Sequence, residues 1–187
     1  FRFNATNINI TKTFNAFGLL EKIAPIASKA NGNISLGMSF TSFLTQDMKP
    51  VLKSIVSDGS LGSKKIGIKD ATTFKSLGKA LNTDAFNDLT VNDLDLDFEI
   101  LNGSIFVDPF DIKMGDVTML IAGEQSFDNL LNYGINVSAP RKLLGLENSS
   151  VNNLYSKAAN QGITIEKAET INLLARVTGA MDDPKVS

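Results

Sequence analysis

Residues 93–100 read Asp-Leu-Asp-Leu-Asp-Phe-Glu-Ile, a strict alternation of acidic and apolar side chains, and Asn102-Gly103 follows after one residue. Because successive side chains of a β-strand point to opposite faces, this pattern predicts a strand with one apolar and one solvated face. Asn-Gly is the dipeptide best suited to a two-residue hairpin turn, so the strand is expected to double back at once. The alternation therefore predicts an antiparallel sheet.

The apolar face can be followed through three further strands by pairing residues across the turns. With turns at Asn102-Gly103 and Gly115-Asp116, the cross-strand pairs on this face are all apolar, as expected for a correct register. The pairs are Ile100 with Ile105, Phe98 with Val107, Met114 with Val117, Ile112 with Met119 and Phe110 with Ile121. Asp108-Pro109 interrupts the alternation and predicts a bulge or an edge position. A four-stranded meander over 91–139 follows.

The remaining sequence predicts strands joined by helices. Period-two patterns predict strands at 3–10, 34–41 and 61–68, and the segment 163–179 is rich in strand pattern before a polar tail at 182–184. Helical spacing predicts helices at 14–24, 47–57, 74–81 and 150–160, and Asp58-Gly59 is interpreted as a turn. The predicted fold class is α+β, a curved and mostly antiparallel sheet with short helices that connect or cover its strands.

The length of 187 residues suits one domain, 1–187, that buries about 70% of its unfolded surface. Within it, a strand-helix unit recurs at a spacing of about sixty residues, which divides the chain into units at 1–60 and 61–90. The meander at 91–139 and a closing helix with strands at 150–180 complete the predicted order.

Composition excludes several kinds of chemistry. The chain has no Cys and no His, which excludes thiolate nucleophiles, disulfides, imidazole metal ligands and His-based proton transfer. A net charge of -2 gives no field that would attract nucleic acid, and the glycine-containing stretch 59–65 lacks the GK[ST] ending of a phosphate-binding loop. We expect no nucleic-acid partner, no cofactor, no catalytic residue and no enzymatic activity.

The acidic residues 93, 95, 97 and 99 carry the carboxylate oxygens that a hard cation prefers. Alternate residues of a strand lie about 7 Å apart, which is too far for several carboxylates to share one ion. A solvated face is the better interpretation, and no metal site is expected.

The apolar face has two interpretations. It is either the core beneath the helices or, in part, a groove for acyl chains. The groove candidates are Met38, Phe40, Leu94, Leu96, Phe98, Ile100, Ile112, Met119, Ile121 and Ile135.

The order of the segments resembles the C-terminal region of bacterial AsmA-like proteins. The resemblance covers nearly the whole chain and includes F-D-I-K-x-G at 110–115, Y-x-I-x-V at 133–137 and G-x-x-x-D-P-K at 179–185. It implies a non-enzymatic protein of outer-membrane and envelope biogenesis, related to TamB-type bridge-like lipid-transfer proteins, whose curved sheets carry phospholipid along a hydrophobic groove.

The same resemblance implies a periplasmic location, with an inner-membrane anchor in a segment outside this chain. Membrane contact is then expected only through that segment. The alternative function is a structural or protein-interaction module of an envelope protein, which has no lipid cargo and contacts the rest of its polypeptide through its sheet edges.

Overall fold

The computed structural model describes residues 1–16, 24–81, 83–144, 160 and 169–187. Within these residues nine strands form one antiparallel sheet, in which each strand pairs with its neighbours in sequence. The strands are β1 (Arg2–Asn9), β2 (Ala30–Thr41), β3 (Val56–Lys69), β4 (Asp88–Leu101), β5 (Ser104–Met114), β6 (Val117–Ser126), β7 (Leu130–Pro140), β8 (Thr170–Ala180) and β9 (Asp183–Val186).

Helices lie in the longer connections. Helix α1 (Ile10–Ala16) follows β1, and α2 (Thr72–Ala80) lies between β3 and β4; short 3-10 helices span Pro25–Lys29, Leu52–Ser54 and Arg141–Leu144. Both α-helices leave the sheet at the same end, which we call the helix end. At the opposite end, the hairpin end, β2 connects to β3 through residues 42–55 and β4 turns into β5 at Asn102-Gly103.

This architecture confirms the predicted fold class. The registers predicted for the meander are also confirmed, since Phe98 pairs with Val107 and Ile112 with Met119. The register of β5 against β6 shifts between Val107 and Phe110, which confirms a bulge at Asp108-Pro109. Local alternation and turn chemistry fix these features, so they can be obtained from sequence.

Three local predictions are wrong. Within residues 47–57 the only helix is the 3-10 helix Leu52–Ser54, and β3 already begins at Val56. Asp58-Gly59 lies inside β3 because its neighbours in β2 and β4 supply a continuous ladder. Strand β3 also runs through residues 60 and 61, where the two repeat units are predicted to meet, and the division into units stays a prediction. The predicted polar tail contains β9, in which Pro184 is buried. The predicted helix at 150–160 and the start of the 163–179 segment lie almost wholly outside the described residues.

The main core lies between α2 and strands β4 to β9. Helix α2 turns Phe74, Leu77 and Gly78 towards the sheet and leaves Lys79 exposed. Although α2 follows β3 in sequence, it also contacts β8 and β9, so the sheet curves around it. The buried strand residues of this core include Leu89, Val91, Ile112, Val117, Met119, Ile121, Leu131, Ile135, Val137, Ala139, Ala175 and Val177.

A smaller second core closes the hairpin end. It consists of the buried side chains of Ile55, Ile100 and Phe127, and Leu52 packs against it from the β2–β3 connection. The second core thus covers part of the inner side of the sheet at the hairpin end, and the main core covers it beneath α2 and towards β9. The candidate site lies on the part of the same side that neither core covers.

Candidate functional site, the inner face of the sheet

Strand β4 shows how the two faces of the sheet differ. Asp95, Asp97 and Glu99 are exposed on one face, which we call the outer face. Leu94, Leu96 and Phe98 are partly buried and Ile100 is fully buried on the other, the inner face. The alternation therefore produces the two faces that it predicts, a solvated outer face and an apolar inner face.

One row of paired residues crosses all nine strands on the inner face. This central row consists of Phe3, Met38, Gly59, Phe98, Val107, Gly123, Tyr133, Val177 and Val186, each paired with the next. Neighbouring strands lie about 4.8 Å apart, so the row runs roughly 38 Å across the sheet. The phenol oxygen of Tyr133 is the only polar side-chain atom in this row. The inner face is thus continuously apolar at right angles to the strands.

The two halves of the central row differ in exposure. Towards β9 the row enters the main core, where Val177 is fully buried. Towards β1 it is partly exposed at Met38 and Phe98, and Phe3 retains 39% of its surface. Helix α2 covers one half of the inner face and leaves the other half partly open to solvent.

The partly open half has a second apolar row beside the first. Leu36 pairs with Leu61 and Leu61 with Leu96, and all three side chains are partly exposed. We call the combined surface the open strip; it consists of Leu36, Met38, Phe40, Leu61, Leu94, Leu96 and Phe98. Its centre is at Gly59, where the absence of a side chain lets the ring of Phe98 lie against the strand.

Five of the ten groove candidates are core residues. Ile112, Met119, Ile121 and Ile135 belong to the main core, and Ile100 belongs to the second core. Each exposes 6% of its surface or less, so none offers area to a ligand, and their assignment to a groove is corrected. The alternation that identified them reports the face on which a residue lies; it does not report whether a helix covers that face.

The other five candidates, Met38, Phe40, Leu94, Leu96 and Phe98, all lie in the open strip. Some of them also pack at its margins, Leu94 against the main core and Phe40 and Phe98 against the second core. Leu36 and Leu61 were missed as site residues. Leu36 belongs to the same period-two pattern as Met38, whereas Leu61 was obscured by the turn predicted at Asp58-Gly59.

The outer face is polar. A hollow of about 480 Å³ lies across β1 to β5 there, and its lining includes Arg2, Asp58, Asp97, Glu99 and Asp108. Within the described ranges, no group of three or more acidic side chains is arranged to hold a metal ion. Further along β4, Asp93 accepts a hydrogen bond from Lys64 Nζ at 3.0 Å, an exposed ion pair that contributes little to stability.

Tyr133 is the one partly buried titratable group of the central row. Burial, with a smaller contribution from the nearby Glu124 carboxylate, raises the pKa of its phenol from 10.0 to about 12. The phenol is thus uncharged over the whole physiological range. It adds a polar atom to the inner face without adding charge.

Fold and site together define an open antiparallel meander whose inner face is half covered and half accessible. In the part of the chain that the structure describes, no helix is both long and apolar enough to cross a membrane. No protein-family model, curated protein or solved structure matches the chain. The resemblance to AsmA-like proteins therefore rests on the sequence motifs alone.

Proposed function

We propose that this chain binds the acyl chains of phospholipid on the open strip, as a non-enzymatic segment of a periplasmic protein that transports lipid for envelope and outer-membrane biogenesis. The observation that supports lipid binding is the open strip itself, a contiguous apolar surface left partly exposed in the middle of a sheet. Contiguous apolar surfaces that stay accessible to solvent mark interaction sites in soluble proteins. The transport role and the periplasmic location rest on the resemblance to AsmA-like proteins.

The energetics favour a surface of this kind as a carrier. An acyl chain of about fourteen methylenes costs about 11 kcal/mol to expose to water, at roughly 0.8 kcal/mol per methylene. A protein that moves such a chain through water must keep most of its length covered. The open strip supplies apolar contact, while the acidic outer face keeps the protein itself solvated.

The dimensions of the partly exposed half of the central row, which extends from the open strip to Phe3 on one side and Val107 on the other, are also suitable. From β1 to β5 the central row makes four steps between strands, which gives roughly 19 Å. One leaflet of the hydrocarbon core of a bilayer is about 15 Å thick, which approximates the length of an extended acyl chain. A single chain laid across the strands therefore fits within the partly exposed half.

The test is native mass spectrometry of the protein purified from bacterial envelopes without detergent. The proposal predicts bound phospholipid, and Leu96→Asn, which places an amide in the open strip, should lower the bound fraction severalfold because burying an unpaired polar group costs about 1–3 kcal/mol. Leu174→Asn on the outer face, where the side chain is 81% exposed, is the matched control. A lipid-free wild type, or equal loss in both variants, would contradict lipid binding on the strip.

A second candidate function, a structural or interaction module, is favoured by the free edge of β1. Phe1 and Phe40 exchange backbone hydrogen bonds of 2.9 and 2.8 Å, so in antiparallel geometry the backbone groups of Arg2 and Asn4 point away from β2. The strand spans eight residues without Pro. The other edge, β9, has four residues and contains Pro184. Among the strands that the structure describes, none pairs with this side of β1, and an edge strand of this kind is able to pair with a further strand.

Asn4→Pro tests this second candidate because it removes an outward N–H while the inward hydrogen bonds of β1 remain. If strand pairing occurs, light scattering should show concentration-dependent association of the wild type, unchanged in Asn4→Ala and abolished in Asn4→Pro. A wild type that is monomeric throughout would rule out self-pairing through β1. Native mass spectrometry of the same samples separates this candidate from lipid binding.

A further inference from the structure

The connection between β2 and β3 carries a concentration of exposed apolar side chains. Phe43 exposes 78% of its surface, Met48 74%, Leu44 50% and Val51 38%. All four lie within nine consecutive residues at the hairpin end, far from the main core. We call residues 42–51 the apolar loop. Single exposed apolar residues are ordinary, but several in one short loop indicate an interaction surface.

The apolar loop has an ordered backbone. Leu44 and Pro50 form a β-bridge, so the loop is a small hairpin in its own right. Its backbone N–H groups donate within the connection, from Phe43 to Ser54 Oγ (2.9 Å), Thr45 to Lys49 O (2.8 Å), Met48 to Thr45 O (3.0 Å), Lys49 to Thr45 Oγ1 (3.2 Å) and Val51 to Phe43 O (2.8 Å). Pro50 has no N–H to satisfy. Five of the nine backbone N–H groups of the loop are therefore paired within the connection.

The loop is also anchored to the rest of the fold. Leu52 and Ile55, which follow it directly, pack in the second core with Ile100 and Phe127. The chain thus buries the apolar residues at the base of the connection and holds those of the loop in solvent. This division shows that the exposed side chains do not serve the packing of the fold.

We infer that the apolar loop inserts into the interfacial region of a lipid bilayer. Pairing backbone N–H groups within the protein lowers the cost of moving a segment out of water, and five of the nine N–H groups of this loop are paired in that way. It presents two long apolar side chains, Phe43 and Met48, that suit the boundary between headgroups and acyl chains. The inference goes beyond the proposed function, since bilayer contact through the loop does not require lipid on the open strip.

Charge has a minor part in this docking. Lys49 and Lys53 are exposed beside the apolar residues, where they suit the phosphates of lipid headgroups. Asp47 lies in the same loop, and Lys53 Nζ lies 3.7 Å from an Asp128 carboxylate oxygen. The net charge near the loop is therefore small. Binding should depend on apolar contact and persist on zwitterionic vesicles at high salt.

The test is flotation of the protein with phosphatidylcholine vesicles and with vesicles of phosphatidylethanolamine and phosphatidylglycerol. Phe43→Ser and Met48→Ser should each lower the partition coefficient roughly tenfold, because each removes at least about 1.4 kcal/mol of apolar burial. The double variant should lower it about a hundredfold. Leu174→Ser, which removes an exposed leucine from the outer face, should bind vesicles as the wild type does.

Three results would overturn the inference: a wild type that does not float with either vesicle, equal loss of binding in Leu174→Ser, or a loop that mediates self-association. The last would appear in light scattering as a wild-type dimer that the double variant converts to monomer. Because the loop lies outside the open strip, the double variant should still carry lipid in native mass spectrometry. Failure of vesicle binding and failure of lipid carriage are thereby distinguished.

Discussion

The ring of Phe98 occupies the space above Gly59, its cross-strand partner in β3. A Cβ atom at residue 59 would lie 2.5 Å from Cζ of Phe98 and 2.8 Å from the backbone oxygen of Gly37. The first contact is with the end of a side chain, but the second is with backbone that cannot move alone. Position 59 therefore accepts only hydrogen, and this is why the ring can lie across the centre of the open strip.

Gly59→Ala should destabilise the protein because the new methyl group must displace the Phe98 ring and press on the β2 backbone. Overpacking of this kind costs about 1–3 kcal/mol. Urea unfolding followed by circular dichroism measures the free energy of unfolding. The ring displacement should also change accessibility of the open strip, which an apolar fluorescent probe would report.

Gly62→Ala is the matched control because it lies on the same strand with its Cβ position facing the outer side. The nearest heavy atom to a Cβ there is the backbone oxygen of Leu94, at an ordinary 3.7 Å. Replacing a strand glycine by alanine reduces the freedom of the unfolded chain, so this variant should be neutral or slightly stabilised. Equal losses of unfolding free energy in both variants would contradict this. They would show that the close contact between Phe98 and Gly59 does not make position 59 more sensitive to a methyl group than position 62.

The meander could be predicted from sequence because its determinants are local. The alternation around Phe98, the turn at Asn102-Gly103 and the break at Pro109 together leave one register that pairs apolar with apolar. Each of these signals lies within a few residues of the feature it sets. The inner and outer faces of β4 follow from the same pattern.

Strand β3 and the coverage of the inner face depend on contacts distant in sequence. Asp58-Gly59 has strong turn chemistry, yet its ladder partners in β2 and β4 hold it extended. Likewise, helical spacing predicted α2, but not that α2 would contact β8 and β9. Whether Met119 is core or Met38 is accessible depends on that placement. Half of the candidate site was therefore misassigned, although every candidate lies on the inner face.

Leu77→Ala tests the role of α2 in closing the inner face. Leu77 is fully buried and belongs to the main core with Met119 and Val137. Truncation should lower the free energy of unfolding by about 2–5 kcal/mol, since it removes apolar contact and leaves a cavity. Lys79→Ala on the exposed side of the same helix should change it by less than about 0.5 kcal/mol. Chemical denaturation of both variants measures these changes in the free energy of unfolding. Small and similar losses in the two variants would show that α2 packs loosely on the sheet.

The pKa of the Asp70 carboxyl should lie below its ordinary value of 3.8, because it accepts a hydrogen bond from Lys75 and is attracted by the charge of that lysine. A depressed pKa stabilises the fold above the unfolded value, and the stabilisation is lost as pH falls through the folded pKa. The pair is exposed, so salt should weaken the effect. NMR titration of the carboxyl carbon measures the pKa, and Lys75→Met should raise it; no change would exclude the ion pair in solution.

Alkaline pH should destabilise the protein through Tyr133. Its phenol has a pKa of about 12 in the folded state against 10.0 in the unfolded chain, chiefly because burial disfavours the phenolate. The folded state thus holds this proton more tightly, so the associated stability is full below pH 10.0 and declines as pH rises towards 12, by roughly 2–3 kcal/mol at most. Unfolding curves measured across this range should become less pH-dependent in Tyr133→Phe, which keeps the ring and removes the titrating group. Phenolate absorbance provides the second measurement: a folded protein in which both tyrosines titrate near pH 10 would show that Tyr133 is accessible to water, and the inner face would then be open at β7 as well as at β1 to β5.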